Sequence, residues 1–201
     1  DNMPKFVMET ALSYDNQLYF NALYFPAQAI LLTVGFVYKP LLVRMAQMWA
    51  DAEKRNRFHL VILAIVAMVI ALTLVVIFLM NWIGIPIMSF MYGVDFEQFR
   101  GLSFIMIAAG GVTAIIDFLY QVITVLRRQK SVMKLYVITF GFSLFVPILL
   151  IDFTGLPGAV IGYLIVMTIL MVLLVWEYIS ICLDLSKHPV SQNPVSVSVD
   201  E

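Results

Sequence analysis

Five stretches of this chain stay apolar for about twenty residues, and that run length constrains the fold more than any other feature. A helix needs roughly 20 apolar residues to cross the ~30 Å hydrocarbon core of a bilayer. The stretches predict transmembrane helices over 17–38, 60–80, 102–126, 135–151 and 156–182. The second is the cleanest, with Thr73 its only polar side chain. Pro26 in the first and Pro147 in the fourth each remove a backbone donor and are expected to kink their helices. Composition agrees: 62% of the 201 residues are hydrophobic and only 12% charged, far from a water-soluble domain. The predicted class is an all-α membrane protein.

Basic residues set the expected orientation. Of the 12 Lys and Arg, Lys39, Arg44, Lys54, Arg55 and Arg57 lie between the first two stretches. Arg127, Arg128, Lys130 and Lys134 lie between the third and fourth. The remaining connections carry only Arg100, so the positive-inside rule puts the two basic loops and the C-terminus in the cytoplasm and the N-terminus outside. Trp82 and Tyr92 at one end, and Trp176 and Tyr178 at the other, suit aromatic belts at the two interfaces. The opening Asp1-Asn2-Met3-Pro4-Lys5 lacks an initiator methionine and a cleavable leader. An N-out chain with an odd number of crossings reads as helices 8 to 12 of a twelve-helix transporter. The division expected is an outer loop over 1–16, a membrane lobe over 17–182 and a disordered cytoplasmic tail over 183–201.

Between the first two spans, Leu41, Leu42, Met45, Met48, Trp49 and Ala52 recur at helical spacing opposite Arg44, Gln47, Asp51, Lys54 and Arg55. This predicts an amphipathic helix at the inner membrane surface, either a gating helix or a charged extension of the first span.

Polar side chains inside a membrane are expensive and are the first candidates for function. Thr113, Asp117, Tyr120, Gln121, Thr124 and Arg128 form one stripe on the third span, and Gln17, Asn21, Tyr24 and Gln28 share a face of the first. Asp117 stands out, because a carboxylate deep in a bilayer costs about 2.5–3.5 kcal/mol on insertion scales. The stripes could line a water-accessible cavity for a polar cargo, with Asp117 taking up a coupling cation or proton. Equally, they could be glue, since hydroxyls and amides commonly join helices at around 0.6 kcal/mol each. Glu177, flanked by Trp176 and Tyr178, is placed near the interface. Gly158 and Gly162 form a GxxxG suited to close helix packing within the chain.

Enzyme chemistry is not expected. His59 and His188 have no second ligand at a zinc spacing, and Asp95 with Glu97 reads as a solvated loop end. No phosphate-binding loop occurs. The lone Cys182 cannot form an internal disulfide, and the net charge of −1 gives no sign of a nucleic-acid partner. No cofactor or metal is expected.

Several segments resemble the bacterial polysaccharide flippases, relatives of the multidrug and toxic compound extruders that translocate undecaprenyl-diphosphate-linked sugars for O-antigen and capsule. Asn2-Met3-Pro4-Lys5-Phe6 and Leu18-Tyr19-Phe20-Asn21-Ala22-Leu23-Tyr24 look like that family's approach to helix 8, with Leu18 replacing the usual glycine. Lys39-Pro40-Leu41-Leu42, Met91-Tyr92-Gly93-Val94-Asp95-Phe96, Arg127-Arg128-Gln129-Lys130 and Thr154-Gly155-Leu156-Pro157-Gly158-Ala159 look like its later loops. The resemblance spans about residues 2–182. It implies most of the second six-helix lobe of an inner-membrane flippase working by alternating access. It also implies a lipid-linked oligosaccharide as substrate, and membrane lipids, a missing N-terminal lobe and polysaccharide assembly proteins as partners. The candidate cavity residues are then Asn21, Tyr24, Gln28, Thr113, Asp117, Tyr120, Gln121, Thr124 and Arg128. Two rivals stand beside it: a cation-coupled drug exporter of the same fold, and a non-transporting membrane scaffold for polysaccharide assembly.

Overall fold

A computed structural model describes residues 14–51, 54–93, 95–126 and 129–187, and the regular structure in them is entirely helical. Seven α-helices follow in order: α1 (Tyr14–Tyr38), α2 (Leu41–Ala50), α3 (Arg55–Leu79), α4 (Ile85–Tyr92), α5 (Arg100–Val125), α6 (Gln129–Thr154) and α7 (Leu156–Lys187). A π-helical turn, Met80–Gly84, joins α3 to α4, and a 3₁₀ turn, Glu97–Phe99, leads into α5. Four helical segments are long and apolar enough to cross a membrane: Asn16–Tyr38, Arg55–Tyr92, Glu97–Val125 and Leu156–Leu183. For the fifth expected span the described residues supply a shorter apolar run, Val132–Ser143, inside the 26-residue α6. The chain is therefore a helical, multi-pass membrane protein.

Local chemistry explains the breaks. Gly93 ends α4 at φ 66°, and Gly155 takes φ 65° at the corner between α6 and α7, where its N–H donates to the Ile151 carbonyl (2.8 Å). Both are left-handed positions that glycine adopts without a Cβ penalty. In the π-turn Gly84 leaves room for the Met80 thioether, since a Cβ there would lie 2.1 Å from Met80 Sδ and push that flexible side chain aside. Helix α1 continues through Pro26. At the other end of the chain α7 runs to Lys187, beyond the boundary expected at Cys182, while residues 188–201, with His188, lie outside the described residues.

Helix α5 is the axis, packed against α1, α3 and α7, whereas α6 rests chiefly on α7. Two adjacent glycines bring this about. A Cβ at Gly110 would approach the Cα of Ala27 in α1 to 2.7 Å, and one at Gly111 would approach Thr73 Oγ1 in α3 to 2.4 Å. Thr73, the single polar residue of its span, donates that hydroxyl to the Val69 carbonyl (2.8 Å), so no donor is left in the apolar layer. Gly158 does the same for the α6–α7 pair, lying against the Leu150 carbonyl.

Contacts along the bundle fix the helix directions. Tyr19 near the start of α1 meets Phe99 beside the start of α5 (ring centroids 4.8 Å), Ala27 meets Gly110, and Tyr38 meets Phe118 (5.4 Å). Hence α1 and α5 are parallel. His59 near the start of α3 contacts Tyr178 near the end of α7 (Nδ1 to hydroxyl 2.5 Å), so those two are antiparallel. One end of the bundle thus gathers Lys39, Arg44, Lys54, Arg55, Arg57 and Lys134, and the opposite end has Arg100. At the basic end the apolar face of α2, with Met45 buried, packs on α3 and α5 rather than lying free. Trp49 closes on Phe58 (5.0 Å) and carries the Arg55 guanidinium over its ring (5.4 Å).

The outer surface is what a bilayer requires. Phe36, Phe90 and Phe153 are 80%, 90% and 86% exposed, with Leu32, Leu63, Leu74 and Trp82 also outward-facing. So much exposed apolar surface would aggregate in water and is solvated by acyl chains.

Candidate functional site

Helix α1 meets α5 through an apolar seam of Phe20, Leu23, Ala27, Ile30 and Val34, all buried. The polar stripe Gln17, Asn21, Tyr24, Gln28 runs beside that seam, which places it at the flank of the α1–α5 contact. The candidate residues then separate into three levels.

At the end away from the basic cluster, Gln17, Leu18, Asn21, Ala22 and Phe25 of α1 and Tyr92 of α4 surround an open hollow of about 310 Å³. Asn21 is exposed there.

Midway, Tyr24, Gln28 and Thr113 come together with Tyr163 of α7 around a slit too narrow to admit water. Thr113, 4% exposed, donates to the Ala109 carbonyl (2.8 Å) and lies 3.2 Å from the Tyr163 hydroxyl. The Tyr24 and Tyr163 rings meet edge to face at 5.8 Å. Three helices are joined here by hydroxyl groups. The water-accessible cavity expected at this level is closed among the described residues.

Nearer the basic end, the Tyr38 hydroxyl donates to Asp117 Oδ2. Parallel helices make this possible, because a helical side chain slants toward its own N-terminus and the long Tyr38 side chain reaches back to Asp117. A carboxylate in a low-dielectric layer thereby gains a donor and loses much of its solvation penalty. Tyr120 stacks edge-on with Tyr136 of α6 (5.9 Å), extending the polar layer toward that helix. Gln121 is half-buried, and the Thr124 hydroxyl is buried with no hydrogen-bond partner. Arg128 lies outside the described residues, so its place beside this stripe is not part of the structure.

Three participants escaped the sequence reading: Tyr38, Tyr163 and the α5 entry at Arg100. The first had a signal. Continuing the four-and-three spacing of Gln17, Asn21, Tyr24 and Gln28 through Leu31 and Gly35 arrives at Tyr38. Tyr163 also had one, as a phenol placed within an apolar span must find a hydrogen-bond partner. Arg100 had none. Its guanidinium holds both Glu97 carboxylate oxygens (2.9 and 2.7 Å) and reaches Asn81 Oδ1 in the π-turn (2.7 Å), nineteen residues away.

The loop acids are local. Asp95 Oδ1 accepts from the Glu97 N–H (2.9 Å), and Asp51 pairs with Lys54 (2.5 Å) at the surface. Among the described residues no group of three or more His, Cys, Asp or Glu could hold a metal. The chain also stands apart in comparison. No protein-family model, curated protein or solved structure matches it.

Proposed function

We propose that the chain is the C-terminal lobe of a flippase moving undecaprenyl-diphosphate-linked oligosaccharides across the bacterial inner membrane by alternating access, for polysaccharide assembly such as O-antigen. One observation carries the reading. Hydrogen-bonding side chains occupy every level of the α1–α5 flank, from Asn21 through Tyr24, Gln28 and Thr113 to Asp117 and Tyr38. A bundle that only had to pack would avoid so many polar groups at membrane depth. The resemblance of the segment order to the polysaccharide flippases is the support for the choice of cargo.

In this reading α6 is a fifth crossing, its 26 residues giving roughly 39 Å of helix at 1.5 Å per residue. The basic end is then cytoplasmic and the end bearing the open hollow faces outward. A second lobe completes the cavity, with no covalent step and no cofactor. The closed middle slit and the open outer hollow correspond to one position of the alternating cycle.

A second reading has its own observation: the pairs Thr113–Tyr163 and Asp117–Tyr38 each tie two helices, as structural glue does. In that case the chain is a non-transporting scaffold. Vesicles containing the intact protein and a labelled lipid-linked oligosaccharide separate the alternatives. Under the flippase reading, Asp117→Asn and Tyr38→Phe slow flipping at least about tenfold, or ~1.4 kcal/mol on the barrier. Unchanged sugar flipping with lost cation exchange points instead to a drug exporter of the same fold. No flipping by the unaltered protein, with cysteines at Asn21, Gln28 and Gln121 shielded from soluble thiol reagents, points to the scaffold.

A further inference from the structure

The corner between α2 and α3 carries an excess of positive charge. Lys39, Arg44, Lys54, Arg55 and Arg57 stand against only Asp51 and Glu53 in this stretch, which leaves three cations unmatched. Lys54 takes Asp51 at the surface (2.5 Å), and Glu53 lies outside the described residues. Like charges gathered at one corner repel one another and attract an anion from the surroundings.

Arg55 is held ready for such a ligand. Its guanidinium lies over the Trp49 ring at 5.4 Å, and Trp49 in turn closes on the buried Phe58 (5.0 Å). Its Nε is buried with no hydrogen-bond partner, so the edge against the ring is sealed. No described residue bonds the two terminal nitrogens, which are the edge left to a ligand. A guanidinium fixed on an aromatic ring loses little freedom on binding, and its planar fork matches the oxygens of a phosphate.

Position selects the kind of anion. Arg55 precedes Leu60, the first residue of the expected apolar run, by five residues, or about 7–8 Å of helix. The polar zone on each side of a bilayer is about 5–8 Å deep, so this guanidinium lies at the level of the lipid phosphates. Exposed Arg57 lies one turn before exposed Leu60, and the same outward face continues to Leu63.

We propose that the α2–α3 corner binds the phosphodiester headgroup of an acidic phospholipid. Arg55 and Arg57 meet the phosphate, and an acyl chain of the same molecule lies along Leu60 and Leu63. A zwitterionic lipid brings its own cation to this corner and gains less from it. The site needs only the corner and a bilayer, so it stands apart from the flippase reading.

Native mass spectrometry of the intact protein in a neutral detergent tests it. The protein is titrated with phosphatidylglycerol, with phosphatidylcholine of the same chains, and with inorganic phosphate. Phosphatidylglycerol is expected to bind at least about fivefold tighter than phosphatidylcholine, and Arg55→Gln to weaken it at least about fivefold. Lys134→Gln, which removes an exposed cation of the same end from α6, is expected to weaken it less than about twofold. Equal weakening by the two variants overturns the site and leaves only a general field of charge. Equal binding of the two lipids overturns the choice of an acidic headgroup. Inorganic phosphate binding as tightly as phosphatidylglycerol, and displacing it, places a soluble anion there and overturns the lipid assignment. Where Arg55→Gln does not fold, Arg55→Lys decides: it keeps the charge without the fork, so a loss of at least about twofold is expected and an unchanged affinity overturns the proposal.

Discussion

Thr113 and Tyr163 are a measurable unit. Their hydroxyls lie 3.2 Å apart in a layer where neither meets water. Hydrogen bonds of this kind between transmembrane helices average about 0.6 kcal/mol and reach about 1.7 kcal/mol. A double-mutant cycle with Thr113→Val and Tyr163→Phe, read by unfolding in detergent, is expected to give a coupling in that range. A coupling of zero would mean that the Thr113 hydroxyl is fully satisfied by the Ala109 carbonyl and gains nothing from Tyr163. Asp117 behaves differently, since removing its donor with Tyr38→Phe leaves a carboxylate at membrane depth with one hydrogen bond fewer. The expected order of stability is therefore native, then Tyr38→Phe with Asp117→Asn together, then Tyr38→Phe alone. Tyr38→Phe alone proving more stable than the pair would contradict it.

Helix packing turns on where a Cβ can be placed. Gly110→Ala puts a methyl against the backbone of Ala27, which cannot yield as a flexible side chain would, and an overpacked contact costs about 1–3 kcal/mol. Gly141→Ala in α6 meets nothing within 4 Å and gains up to about 1 kcal/mol of helix propensity. Thermal unfolding of both variants should move in opposite directions, and a neutral Gly110→Ala would mean that α1 and α5 can separate freely. The apolar run length made α1, α3, α5 and α7 legible in the sequence, because crossing a bilayer is a local requirement. The extension of α3 through the π-turn was not legible, since the run of apolar residues carries no mark of a turn at Met80–Gly84 that lets the helix continue. Nor was the Tyr38–Asp117 pair, although both residues sit on readable stripes. Which rung of α1 faces which rung of α5 is decided by the Ala27–Gly110 contact, a meeting of residues far apart in the chain. For the same reason the sequence does not say which helices the apolar face of α2 meets; it lies against α3 and α5.

At the scale of the whole molecule the asymmetry of charge is the main feature. Reporter tags inserted after Ala50 and after Gly93 should fall in different compartments, with the Ala50 site cytoplasmic, and a shared compartment would remove the orientation proposed above. The 38-residue helical segment Arg55–Tyr92 already separates these two positions to opposite ends of the bundle. The directions of α1, α5 and α7 have a further electrical meaning. Tyr19 beside Phe99, with Tyr163 meeting both Tyr24 and Thr113, makes these three the joined centre of the bundle. When helices run the same way their peptide dipoles add, each leaving about half a negative elementary charge at its final turn. The antiparallel α3 cancels one of these three contributions, and Lys39, the residue after the final turn of α1, opposes part of the remainder, so a cation that anchors the protein's direction in the bilayer also offsets charge left at a helix end.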